Sequence, residues 1–320
     1  MRTALFASTA ILLSASLAFA GSGPGHSRAL AKPLAEVPFT LHQNAVIIEA
    51  TINGKQPIRL LLDTGWGPLA LVSSAAQRLG IEYKATEGVL PIVHVKSLAI
   101  GKAVMRDAAF EVFPAEELTP VIGPHDGVLS TAFFKDLVLE IDYPAGVVRF
   151  YASTPIPKRP LKDPDARATV PMVLLPRIGA LPFTDAVAVD GKPARALFDT
   201  GGAGGFMAMK QLMDRAKLAI MPDAGGPKVA VGMLSNDHAT QQTVQFARVG
   251  RIALGSLVVE SPRVMIAPSQ IEGGDWGHDL NIGYGFMRKY VVTFDYPNKL
   301  ITFERPSLVP APGAESGGRR

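Results

Sequence analysis

Short apolar runs rich in Val, Ile and Leu alternate along this chain with clusters of Gly, Pro, Asn and Asp, a pattern that predicts many β-strands joined by turns and few helices. One stretch of the pattern occurs twice. Ala50-Thr51-Ile52 passes through Asn53-Gly54 to the apolar run Ile58–Leu62 and ends on Asp63-Thr64-Gly65. Ala186–Val189 passes through Asp190-Gly191 to Ala194–Phe198 and ends on Asp199-Thr200-Gly201. Strand, Asn/Asp-Gly turn and second strand is the signature of a β-hairpin. The match continues downstream, where Leu98–Gly101 corresponds to Ile252–Gly255 and Phe133-Phe134 to Phe286-Met287. Asp142-Tyr143-Pro144 corresponds to Asp295-Tyr296-Pro297, and each is followed by one more apolar strand. The chain therefore reads as one unit written twice, each copy ending in a second hairpin.

The copies differ in one interval. Asp63 to Gly101 spans 38 positions and Asp199 to Gly255 spans 56, so the second copy carries 18 extra residues. Within them Lys228–Gly232 and Thr243–Phe246 alternate like strands around the polar tip Ser235–His238, which predicts a long hairpin. Helices are expected at Ser73–Leu79, with Ser73 as N-cap and Gly80 closing it, and at Met207–Leu218. Residues 152–170, rich in Pro, Lys and Asp, read as a linker between lobes 21–151 and 171–304, and 305–320 as a flexible tail.

Composition adds a location. Arg2, the apolar run Ala4–Leu17 and Ala18-Phe19-Ala20 fit an export signal cut after Ala20. No later apolar segment has the length of a membrane span. The 320 residues include no cysteine, which removes disulfides, thiol nucleophiles and Cys-ligated metals. A periplasmic or secreted protein stabilised by its core alone is the expectation. The net charge of +4 comes with no dense Lys/Arg stripe, so nucleic acid is not an expected partner.

Two carboxylates at equivalent places in a duplicated chain face each other if a pseudo-twofold axis passes between them. Such a pair cannot ionise twice cheaply and holds one proton between two groups. The ionised member deprotonates a water, and the protonated member polarises a carbonyl and later returns the proton. No metal or other cofactor is required, and the six histidines form no ligand motif. His125-Asp126 and His278-Asp279 precede equivalent segments and read as solvated loop residues. Asp142 and Asp295 read as turn formers.

The two Asp-Thr-Gly motifs resemble those of the aspartic peptidases, in both their two-lobed pepsin-like and their retropepsin-like forms. Each motif follows an apolar strand, and each is followed by a second segment, Asp126–Ser130 or Asn281–Phe286. The second copy, with Asn281-Ile282-Gly283, looks the closer to the family's apolar-apolar-Gly segment. The resemblance covers roughly residues 40–151 and 180–304. It implies an all-β chain of two similar closed barrel-like lobes, with Asp63 and Asp199 as the catalytic pair. Thr64, Gly65, Thr200 and Gly201 would support that pair. The hairpin at 229–246 would serve as a flap, with Gly232, Asn236 and Trp66 contacting a peptide or protein substrate. A single chain would then be active as a monomer. Trp66 stands where the family carries a small residue, and Ser130 stands where the second copy has Gly283. A non-catalytic peptide-binding relative is the alternative expectation.

Overall fold

The computed structural model describes residues 32–55, 57–84, 86, 89–152, 166–175, 179–221, 228–231, 240–267 and 277–305. The proposed signal segment 1–20, the tip residues Gly232 and Asn236 and the tail beyond Arg305 lie outside the described residues.

The first copy runs β1 (Ala35–Pro38), β2 (Thr40–His42), β3 (Ala45–Ile52), β4 (Pro57–Asp63), β5 (Leu69–Val72), α1 (Ser73–Arg78), β6 (Ile92–Ile100), β7 (Ala103–Phe113), α2 (Ala115–Ile122), β8 (Gly127–Ser130), α3 (Thr131–Phe134), β9 (Val138–Asp142) and β10 (Val147–Tyr151). The second runs β11 (Arg167–Pro171), β12 (Phe183–Val189), β13 (Lys192–Phe198), β14 (Phe206–Ala208), α4 (Lys210–Ala216), β15 (Lys228–Val231), β16 (Thr240–Thr243), β17 (Phe246–Arg248), β18 (Arg251–Leu254), β19 (Leu257–Glu260), β20 (Arg263–Ile266), β21 (Leu280–Ile282), α5 (Tyr284–Met287), β22 (Val291–Asp295) and β23 (Leu300–Glu304).

The repeated hairpins form as the pattern requires. β3 pairs with β4 and β12 with β13. Asn53 and Gly54 take φ of 53° and 65°, and Asp190 and Gly191 take 48° and 77°, the left-handed region in which Asn, Asp and Gly are favoured. In the first copy the order β3-β4-β8-β5-β7-β6 closes through a β6–β3 pairing into a six-stranded barrel. In the second, β17-β20-β14-β21-β13-β12-β18-β19 is a curled, open sheet. The all-β, two-lobed expectation therefore holds, with one lobe closed and the other a half-barrel.

The closing hairpins do not stay in their own lobes. They build one shared sheet, β1-β10-β9-β22-β23-β11, with three strands from each copy. At its centre Glu140 pairs with Thr293, Ile141 with Val292 and Leu139 with Phe294. Asp142 corresponds to Asp295, so Glu140 sits opposite its own equivalent. The pseudo-twofold axis thus passes through that pair. Asp142 and Asp295 act as turn formers, accepting from the backbone N–H of Ala145 at 3.1 Å and of Asn298 at 3.0 Å.

Three local expectations change. Val72, not Ser73, is the N-cap of α1, and no side chain caps that end. The helix expected from Met207 starts at Lys210, because Phe206–Ala208 is taken into the sheet between β20 and β21. β11 begins inside the stretch read as linker. Ala168 and Val170 alternate inward with exposed Thr169 and Pro171, a short strand signal masked by the Pro- and Lys-rich run before it.

Candidate active site

β4 and β13 deliver Asp63 and Asp199 at their C-terminal ends. In each strand the alternation of side chains puts one Leu on the aspartate's face and the deeper residues on the other. Leu60, Leu62 and Phe198 enter the main core, whereas Leu61 and Leu197 lie in two small clusters on the aspartate face.

The two loops grip each other. Thr64 Oγ1 donates to Phe198 O at 2.7 Å and accepts from Thr200 N at 3.1 Å. Thr200 Oγ1 donates to Leu62 O at 2.7 Å and accepts from Thr64 N at 3.0 Å. Both threonines are fully buried. Gly65 and Gly201 then lie against the opposite carboxyl. A Cβ on Gly65 would stand 2.8 Å from Asp199 Cγ, and one on Gly201 2.5 Å from Asp63 Oδ2. Glycine is needed at both places for close approach rather than for φ.

The Asp63 and Asp199 carboxyls lie beside each other, each against the other loop's glycine, and each bears on the other's titration. Asp63 Oδ1 accepts from Gly65 N at 2.7 Å, and Asp199 Oδ1 from Gly202 N at 2.9 Å. Burial, and then the neighbouring Asp199 charge, push Asp63 well above the ordinary carboxylate range. Burial also raises Asp199, while N–H groups of Gly202 and Gly201 and the bond from Asp63 pull it back. Both carboxyls are thus raised, and the pair titrates as a unit that shares one proton.

Behind each aspartate a second strand closes the loop. β8 runs parallel to β4 with Asp63 beside Ser130. Ser130 Oγ donates to Gly67 O at 2.8 Å, and Thr131 N donates to Trp66 O at 3.2 Å. In the second copy Tyr284 N donates to Gly202 O at 2.8 Å and Gly285 N to Gly204 O at 2.9 Å. A Cβ on Gly283 would overlap the carbonyl oxygens of Gly202 and Gly204. The first copy has room for a serine at this point and the second has none.

Trp66 is half-buried and lies in the cluster of Leu61, Val128, Phe113 and Leu118, edge-on to Phe113 at 6.2 Å. Its indole Nε1 is buried without a hydrogen-bond partner. The predicted long hairpin forms where it is described, β15 pairing antiparallel with β16 from Lys228↔Thr243 to Val231↔Thr240. β15 comes against α2 of the other copy, the helix that supplies Leu118 to Trp66's cluster.

Other groups near the pair escape a reading by motif. The residues following Asp142 and Asp295, Tyr143 and Tyr296, are buried, and neither hydroxyl has a hydrogen-bond partner among the described residues. Each crosses to the other copy: the Tyr143 ring meets Tyr284 at 5.7 Å and the Tyr296 ring meets Phe134 at 5.6 Å. Burial holds both phenols neutral, and the Asp199 charge adds to the effect on Tyr143 and the Asp63 charge to that on Tyr296.

The loop histidines are buried, contrary to their expected solvation; His125 and His278 are each 5% exposed. The His125 ring lies edge-on to His42 at 4.9 Å and the His278 ring edge-on to Phe183 at 5.8 Å. Burial, then the charges of Arg59 and His42, push His125 down to about 4, so it is neutral above that pH.

Asp126 accepts from Arg59 N at 2.8 Å and pairs with Arg78 of α1 at 2.7 Å. Asp279 accepts from Arg195 N at 2.9 Å and pairs with Arg215 of α4 at 2.9 Å. The same latch thus ties strand, helix and backing segment together in both copies. Asp279→Ala is expected to cost about 1–3 kcal/mol, since the Arg195 N–H and Arg215 lose a charged partner. Thermal unfolding of the variant checks this, and an unchanged melting temperature would count against the latch.

Residues 48–133, from within β3 into α3, match the aspartyl protease family. This bears out the resemblance to the aspartic peptidases, although the match falls on the first copy and not on the second, whose motif looks closer. The 18 extra residues interrupt the second copy between its aspartate and its Leu-Gly strand. No curated protein matches the chain. No helix among the described residues is long and apolar enough to cross a membrane.

Proposed function

We propose that the protein is an aspartic-type endopeptidase in which Asp63 and Asp199 activate one water against a peptide carbonyl. The single observation that carries this reading is the pair of interlocked Asp-Thr-Gly loops of a duplicated chain, which sets each carboxyl against the other loop's glycine. The chemistry follows from their inequality. The ionised carboxylate takes a proton from the water as it attacks, and the protonated carboxyl donates toward the carbonyl oxygen. Collapse of the tetrahedral species returns a proton to the leaving amine, and the pair is restored.

The substrate is an extended peptide lying between the lobes. The hairpin at 229–246 serves as its flap, and Trp66, Gly232 and Asn236 are the residues proposed to contact it. Both halves of the site come from one chain, so the active form is a monomer. Export by residues 1–20 places the enzyme in the periplasm or outside the cell.

One observation favours a second reading. Trp66, Phe113 and Leu118 fill the aspartate face of the first lobe, which is compatible with a protein that binds a peptide without cleaving it. Incubation with an unfolded protein such as casein between acid and neutral pH, with and without pepstatin, separates the two. Cleavage blocked by pepstatin is the expected result. Pepstatin binding without cleavage at any pH would establish the binding protein instead.

A further inference from the structure

The two halves of the site are unequal at one position. β8 and β21 back their aspartate strands in the same parallel register, Leu61 beside Val128 and Leu197 beside Asn281. Val128 is buried among Leu61, Trp66 and Phe113. Its equivalent, Asn281, points an amide at the carboxyl: Nδ2 donates to Asp199 Oδ2 at 3.3 Å. Asp63 has no such side-chain donor among the described residues. Asp199 thereby has donors on both oxygens, from Gly202 N on Oδ1 and from Asn281 on Oδ2.

An amide at this place is a burden on the fold. Asn281 Oδ1 is buried and has no hydrogen-bond partner among the described residues, whereas valine packs the equivalent site in the first lobe without any polar atom to satisfy. A buried acceptor left unpaired is costly. The contact with Asp199 is what the amide offers in return. Its orientation is tied to the proton. Turned over, the amide would set its oxygen against a carboxylate oxygen, which is tolerable only if Asp199 carries the hydrogen.

We propose that Asn281 is a positioning residue that makes the carboxyl pair asymmetric, holding Asp199 as the ionised member so that the shared proton resides on Asp63. The other titratable groups facing the pair are Tyr143 and Tyr296, both kept neutral by burial, so neither replaces the amide. The inference rests on the reading of these carboxyls as the working pair.

The sign of the effect is specific. Asn281 stabilises an ionised Asp199, which exists in the singly and doubly ionised pair but not in the doubly protonated one. Loss of the amide therefore raises the lower of the two titrations and leaves the upper one nearly in place.

Asn281→Val, which gives the second copy the first copy's residue, is the test, with Asn281→Ala as a second variant should valine not fit. The aspartate carboxyl carbons, labelled with carbon-13, are titrated by NMR in the wild type and the variants. The pH profile of kcat/KM is followed on a cleaved peptide. The lower titration, and with it the acid limb of the profile, should move up by about half a pH unit or more. A merely structural asparagine would alter the melting temperature and move neither. Unchanged carboxyl titrations in folded variants would overturn the proposal. A wild type that cleaves no peptide would defeat the peptidase reading alone, because the carboxyl titrations still decide the role of Asn281.

Discussion

Asp63→Asn is expected to lower peptide hydrolysis by about a thousandfold or more, within the range that positioned acid–base groups contribute. The fold should persist. An amide has the shape of the carboxyl, can still accept from Gly65 N, and can donate toward the neighbouring Asp199. What it cannot do is exchange a proton with a carbonyl oxygen. Asp199→Asn should be as damaging for the complementary reason, since it removes the base. Circular dichroism with a kcat/KM assay reads both parts. Substantial hydrolysis by a folded Asp63→Asn protein would exclude the two-carboxyl mechanism.

The same variant has a signature in stability. Asp63 titrates above its ordinary 3.8 in the folded protein, so the folded state keeps a proton that the unfolded chain releases. Stability then falls as the pH rises above about 4 and through the raised titration, and the loss remains at higher pH. In acid the carboxyl carries no penalty. Asp63→Asn removes the titration, so the variant should match the wild type in acid and exceed it in melting temperature at neutral pH. Lower activity with higher stability is the expected combination. It marks a strained functional pair rather than a pair of turn aspartates.

The duplication was legible because its signals are local. Asn53-Gly54 and Asp190-Gly191 need left-handed backbone, Asp-Thr-Gly ends an apolar strand, and the turn after Asp142 or Asp295 is closed by that residue's own carboxylate. Each can be read within a few positions. What escaped depends on register between distant residues. Nothing near Val138–Asp142 says that it will pair with Val291–Asp295 of the other copy rather than complete its own lobe. The burial of Tyr143 and Tyr296 is not legible beside the turn aspartates, because the rings of Tyr284 and Phe134 that they meet are contributed by the opposite copy. Asn281 was passed over as a member of an apolar-apolar-Gly segment. Its distinction from Val128 becomes visible only once Leu197 and Leu61 fix the equivalent register. His125 and His278 read as solvated because hydrophilic loop residues usually are, and their burial rests on tertiary contacts with His42 and Phe183 that lie far off in sequence. Ser130 and Gly283 differ for a reason of space: Gly202 and Gly204 crowd one position and leave the other open.

Thr64→Val should destabilise the protein by about 2–5 kcal/mol. Valine keeps the shape and loses the hydroxyl, which makes two buried bonds, one to Phe198 O and one from Thr200 N. Two buried groups are left without their partners, at about 1–3 kcal/mol each. The loss should also reach the chemistry. The two hydroxyls clamp the loops that bring Gly65 against Asp199 and Gly201 against Asp63, so a loosened clamp lets the carboxyls part. A fall in kcat with little change in KM is the expected form, since the substrate walls stand on other residues. Thr200→Val should behave alike, because the pseudo-twofold axis makes Thr200 Oγ1 repeat each contact with Leu62 O and Thr64 N. The double variant is the sharper measurement. Each hydroxyl acts on the same pair of loops, and once one has released them the other has less left to hold. Denaturant unfolding of the four proteins in a double-mutant cycle should therefore give a double loss smaller than the sum of the single losses. Strict additivity would mean that the two loops are held independently by their own lobes, and that the interlocked threonines do not set the distance between the carboxyls.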